Sequence, residues 1–123
     1  MVDTLRADHL GAYGYDKPTS PRIDALARAG VRFANARAAS SWTLPSVASM
    51  LTALYPASHG AEVNTAALSP DVVTMPEAFR DAGYLTAAIS ANPAFVTPLQ
   101  GFAQGFDEFT VEHGPPSKRA AGG

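Results

Sequence analysis

The chain has 123 residues, of which 46% are hydrophobic and 16% charged, with a net charge of −2 and a pI near 5.8. That length suits one compact domain, and the apolar content is enough for a core. The absence of cysteine excludes disulfides, thiolate metal sites and a cysteine nucleophile, and no basic patch marks a nucleic-acid binder.

In chain order, the opening "MVDTLRADHLG" reads as the end of a strand at Val2, most of which is missing, followed by loop. Ser20-Pro21 predicts a helix start, with Ser20 as cap and Pro21 at the first helical position, where its missing N–H costs nothing. Ile23, Leu26 and Ala27 share a face, and Gly30 is expected to end the helix in a left-handed conformation. Val31 to Ala38 reads as a strand, weak for its Ala, Asn and Arg content.

Leu44 to Leu54 predicts a second helix, with Val47, Leu51 and Leu54 on one face and Pro56 as its stop. Thr74 to Ala82 predicts a third: Thr74 and Glu77 have capping-box spacing, Met75 and Phe79 share a face, and Gly83 closes it. Tyr84 to Ala91 reads as a strand broken by Asn92-Pro93, and Gly101 to Phe109 as a packed loop or short edge element. From Glu112 periodicity ends, which divides the chain into a domain at 1–111 and a flexible tail at 112–123. Helices alternating with strands predict α/β layering around a mostly parallel sheet. There is no internal repeat, no signal peptide is legible, and no stretch reaches the roughly 20 apolar residues of a membrane span.

Two residues stand where chemistry is done. An acid directly after a strand, Asp3, sits at the carboxyl edge of a parallel sheet, where such sheets bind ligands. Its bland alternative is a turn cap. Thr43 opens an apolar helix in "SSWTLPSVASMLTALYPASHG", either as a cap or as a nucleophile.

The spacing of motifs weighs on that choice. "VDTLRADHLGAYG" and "TLPSVASMLTALYPASHG" together resemble the two opening motifs of the sulfatase-like branch of the alkaline phosphatase superfamily. There an Asp ends the first strand and binds a divalent metal, and a Cys, Ser or Thr opens the helix of a (C/S/T)-x-P-S pattern followed by L-T-G-L-Y-P and H-G. The corresponding residues are Thr43-Leu44-Pro45-Ser46, Leu51-Thr52-Ala53-Leu54-Tyr55-Pro56 and His59-Gly60. The likeness continues through "AGYLTAAISANPAF" and "GFAQGFDEF", about residues 1 to 109.

The resemblance implies a partial alkaline-phosphatase-like α/β sandwich, its sheet flanked by helices and its first strand truncated. It implies Thr43 as nucleophile, and Asp3, Thr43 and, more weakly, Thr4 as ligands of a divalent ion (Ca, Mg, Mn or Zn). Asn92, on the loop after a strand, is a candidate substrate contact, although a plain Asn-Pro turn is favoured there. The family's further ligands, an Asp-His pair far downstream, have no counterpart here, so the site is incomplete.

Four departures matter. Thr43 is not expected to become formylglycine, Val47 stands where sulfatases carry Arg, Thr4 replaces the second Asp of an Asp-Asp pair, and Ser90 to Pro93 lacks the expected Lys and His. They favour phosphate over sulfate esters.

Among the remaining polar residues, His59 is expected to make a structural hydrogen bond, and His9 and His113 to lie on the surface. Arg6 and Asp8 are expected to be solvated or locally paired, and Trp42 to wall a pocket or fill core. The chain reads as the N-terminal piece of a larger esterase or transferase, from a shortened reading frame or split gene, and is expected to be inactive alone. Its partners would be a small-molecule, lipid or sugar ester and the missing remainder of the domain. The alternative is a non-catalytic remnant that binds a partner through an unfinished sheet. Relatives are often exported or membrane-anchored, and the compartment stays open.

Overall fold

A computed structural model describes residues 1–114, which fall into two compact units, Met1–Arg37 and the chain from Ala38 onward. No strand forms at Met1–Val2. The first unit runs through two single 3₁₀ turns, Ala7–His9 and Gly11–Tyr13, to helix α1, Pro21–Ala29.

Pro21 opens α1 as expected, but Ser20 does not cap it. The Ser20 hydroxyl instead accepts from the Gly11 amide (3.1 Å) and donates to Asp24 (3.0 Å), whose carboxylate also takes the Ala12 amide (2.7 Å). The adjacent turn presents donors that a local pattern cannot reveal. A Cβ at position 11 would lie 2.5 Å from the Asp24 carboxylate, so a larger residue there would displace that side chain from its bonds to Ser20 and Ala12.

Gly30 is extended rather than left-handed (φ −122°, ψ −149°), although its amide still closes the last turn onto Leu26 (2.9 Å). The expected strand at Val31–Ala38 does not form. Its backbone has no ladder partner, and Val31 and Phe33 are 82% and 70% exposed; residues of weak β preference do not hold a strand without a neighbour. What order the segment has comes from Tyr13, whose hydroxyl donates to Phe33 O (3.0 Å) and whose ring lies under Arg32.

The second unit contains helices α2 (Thr43–Thr52), α3 (Pro56–His59) and α4 (Met75–Asp81), and strands β1 (Ala87–Ser90) and β2 (Glu108–Val111). Its core is built on one face of α2. Leu44, Val47 and Ala48, with Leu51, pack against Ala61, Leu68 and Phe102. That is the i, i+3, i+4, i+7 stripe of an amphipathic helix, shifted one turn toward the N-terminus of the expected one. Leu54 lies past the helix end and is exposed.

Pro56 is not the stop. Helix α2 ends at Ala53, which is left-handed (φ 57°), and Pro56 begins α3. The capping box of α4 is present: Thr74 Oγ1 accepts from the Glu77 amide (3.3 Å) and Glu77 Oε2 from the Thr74 amide (2.8 Å). A left-handed Gly83 (φ 88°) follows the helix.

The two strands pair in parallel, Ala87 opposite Glu108 through Ser90 opposite Val111. β1 is shorter than the Tyr84–Ala91 read from sequence because only residues 87–90 meet a partner. Asp107 locks the start of the pairing. Its carboxylate accepts from the Thr86 amide (2.8 Å) and hydroxyl (2.9 Å), which hold it below the ordinary aspartate range. The expected edge element after Gly101 is thus β2, reached through a turn in which Phe102 is buried. Pairing continues to Glu112, whose amide donates to Ser90 O (2.7 Å). The tail expected from there lies, from residue 115, outside the described residues. The described chain is α/β with a small parallel sheet and flanking helices.

Candidate active site

Thr43 is the first residue of α2, and the N-cap position belongs to Trp42, which makes no side-chain capping bond. An indole has no acceptor to offer. The first helical hydrogen bond is that of the Ser46 amide to Trp42 O (3.4 Å), so the amides of Thr43 and Leu44 precede the ladder, and Pro45 has none. The positive end of a ten-residue helix therefore stands beside the Thr43 hydroxyl. Ser46 Oγ donates to Ser40 O (2.9 Å) and ties the incoming loop to this first turn. Thr43 is half-buried, while Leu44, Pro45 and Val47 behind it are buried. Position 47 faces the apolar core, where it is 5% exposed.

Asn92 lies just beyond the carboxyl end of β1. Its Oδ1 accepts from the amides of Ala94 (3.2 Å) and Phe95 (3.0 Å), and its own amide donates to Ser90 Oγ (3.2 Å). This is a side-chain-closed turn, the bland role that asparagine before proline suggests. The turn packs beside the start of α2: the rings of Phe95 and Trp42 meet edge to face, centroids 5.8 Å apart. The aromatic contact joins the residue before Thr43 to the turn that Asn92 closes. Trp42 is a core contact as well, packed with Phe95 against the buried cluster.

Asp3 and Thr4 belong to the first unit and are exposed. Asp3 Oδ1 accepts from the Thr4 amide (2.9 Å), and Thr4 is left-handed (φ 55°), a strained conformation for a β-branched residue. Asp3, Thr4 and Thr43 are hard oxygen donors of the kind that Mg²⁺ or Ca²⁺ takes, but such ions need about six ligands. Among the described residues no three His, Asp or Glu side chains come together to hold a metal, so these residues alone do not compose a metal centre.

The other polar residues have structural roles. His59 is buried between two partners. Its Nδ1 accepts from the Ala61 amide (3.1 Å), which leaves the proton on Nε2 to be donated to Ser49 Oγ (3.0 Å). A nitrogen already carrying its proton is no base for that serine. The ring bolts α2 to the turn after α3, the hydrogen-bonding role expected for it. Arg6 and Asp8 form an exposed local ion pair, and His9 and His113 are on the surface, as expected. Sequence reasoning missed the Ser46–Ser40, Phe95–Trp42 and Thr86–Asp107 links. The one available signal was Asn92-Pro93, which marks the turn that carries Phe95.

A sequence profile described as Sulfatase matches residues 1–120. The chain is 30% identical to an N-acetylglucosamine-6-O-sulfatase of Bacteroides thetaiotaomicron, over 93% of its own length and 20% of that protein. It is 32% identical to human arylsulfatase A, over 83% of its length and 23% of the relative's. The fold matches the crystal structure of a phosphonate monoester hydrolase of Agrobacterium radiobacter with a TM-score of 0.76 and 27% identity, covering 92% of this chain and 25% of that one. The chain therefore spans about a fifth to a quarter of the proteins it matches. Among the described residues no helix is long and apolar enough to cross a membrane.

Proposed function

The chain belongs to the sulfatase family, and from that premise we propose that it carries the nucleophile-bearing part of a metal-dependent hydrolase or transferase of phosphate or sulfate esters, with the phosphoester favoured. The observation that carries this is the place of Thr43. It is the first residue of α2, with Trp42 at the N-cap, so it stands at the positive end of the helix. The turn after β1 packs against Trp42, the residue before it, and lies at the carboxyl edge where α/β sheets bind ligands.

Thr43 Oγ attacks phosphorus as its proton passes to solvent. A bond from Oγ to phosphorus forms, the ester P–O bond breaks, and the departing alkoxide takes up a proton. Water, or an acceptor alcohol in a transferase, then releases the threonine. The amides at the start of α2 and the helix dipole stabilise the anionic phosphoryl group, and Asn92 contacts the substrate. A divalent ion, when bound, supplies Lewis-acid chemistry. Thr43 would offer it an oxygen ligand, and the remaining ligands would come from elsewhere. Apolar Val47 is the ground for preferring phosphorus esters, since sulfatases carry a cation at that position. The substrate is a small-molecule, lipid or sugar ester.

The test replaces the matching quarter of the Agrobacterium phosphonate monoester hydrolase with residues 1–114 and assays aryl phosphonate, phosphate and sulfate esters. Turnover should favour the phosphorus esters, vanish to background in Thr43→Ala and persist in part in Thr43→Ser. Parent-rate turnover by Thr43→Ala would reduce the threonine to a structural residue. A second, non-catalytic reading, association through the sheet, draws on Leu85, just before β1, and Ile89 within it, which are 84% and 78% exposed.

A further inference from the structure

We propose that Phe95 is a positioning residue that holds the turn carrying Asn92 against the residue preceding Thr43. The inference extends the hydrolase reading, because it names what sets the spacing between the two groups assigned to nucleophile and substrate contact.

Three short links make the connection. The Asn92 side chain takes the amides of residues 94 and 95, and the Asn92 carbonyl takes the amide of Val96 (3.1 Å), so residues 92–96 move as one closed turn. Phe95 projects from that turn to meet Trp42 edge to face, with an interplanar angle of 88°. Trp42 is bonded to Thr43, and its carbonyl accepts the first helical hydrogen bond, from Ser46.

The contact is directional. An aromatic edge over an aromatic face restricts both distance and tilt, whereas an aliphatic side chain of similar volume would fill the space and leave the turn free to rotate. Both rings are partly buried against the core cluster that Leu44, Val47 and Ala48 of α2 help to form, so the clasp is anchored to the core.

The test is amide hydrogen exchange by NMR on the 123-residue chain, which reads no turnover and so fails independently of the hydrolase reading. In Phe95→Leu, the amides of residues 94, 95, 96 and 46 should exchange about tenfold faster or more. Those of Glu77 and Asp107, in the same unit but outside the cluster on which the rings pack, should hold within about twofold. Phe95→Tyr should restore slow exchange. Trp42→Leu breaks the same contact from the other side and should reproduce the pattern at residues 94–96, which serves if Phe95→Leu does not fold. Unchanged exchange at these four amides would overturn the proposal. So would equal acceleration at Glu77 and Asp107, since the ring would then only fill core.

Discussion

Ala53 offers a test of how α2, the helix that opens with Thr43, is held at its far end. The residue is the C-cap in the left-handed region (φ 57°, ψ 19°), and its amide donates to Ser49 O (2.9 Å). A left-handed L-residue costs roughly 1–2 kcal/mol, because Cβ crowds the following carbonyl. Glycine escapes that cost but gives up about 0.4–1 kcal/mol through the greater freedom of its unfolded chain. Ala53 is exposed, so no buried methyl is lost. Ala53→Gly should therefore stabilise the second unit by about 0.5–1 kcal/mol. At about 4–8 °C per kcal/mol for a unit of this size, the melting midpoint should rise by about 2–8 °C. The assay is thermal denaturation followed by far-UV circular dichroism, with urea unfolding as a check. A midpoint that stays put or falls would show that position 53 is not strained and would refute the backbone reasoning. The same reasoning explains why the family pattern has glycine there.

His59→Ala should destabilise by about 2–4 kcal/mol in urea unfolding, since it leaves the Ala61 amide and the Ser49 hydroxyl without their partner and opens a cavity; His59→Asn, which returns an acceptor near the Nδ1 position, should recover about 1 kcal/mol. Stability equal to the parent in His59→Ala would remove the bolt. Asp107 and Glu77 are both held below their ordinary ranges, chiefly by the backbone amides of Thr86 and Thr74. A depressed carboxylate stabilises the fold above its unfolded pKa and loses that contribution as pH falls through the folded value. Stability should thus hold toward neutral pH and decline below the ordinary values of 4.5 for Glu77 and 3.8 for Asp107. Asp107→Asn should lower it at neutral pH and flatten the acid decline, which denaturant titrations from pH 7 to about 2 will read; an unaltered acid limb would contradict the Thr86–Asp107 lock.

Features set by residues a few positions apart were legible from the chain. The Thr74–Glu77 capping box, Pro21 at the start of α1, Gly83 after α4, the helix beginning at Thr43 and the Asn92 turn all depend on backbone geometry within one or two turns. Motif order carried the family, and the structural role of His59 followed from its place just past a helix. Features that need a distant partner were not legible. Val31–Ala38 has a tolerable strand sequence and no neighbour to bond, so it stays irregular, while β1 is only as long as its register with β2 allows. Ser20 has the composition of a cap, but the Gly11 amide and Asp24 compete for its hydroxyl and win. The apolar face of α2 falls at Leu44 rather than Leu54 because Ala61, Leu68 and Phe102 gather there, and Phe95 meets Trp42 only once residues far apart in sequence are packed together. Hydrogen bonds and hydrophobic contacts act through space, so local spacing decides a cap or a turn, and the folded neighbours decide which face is buried and which strand exists.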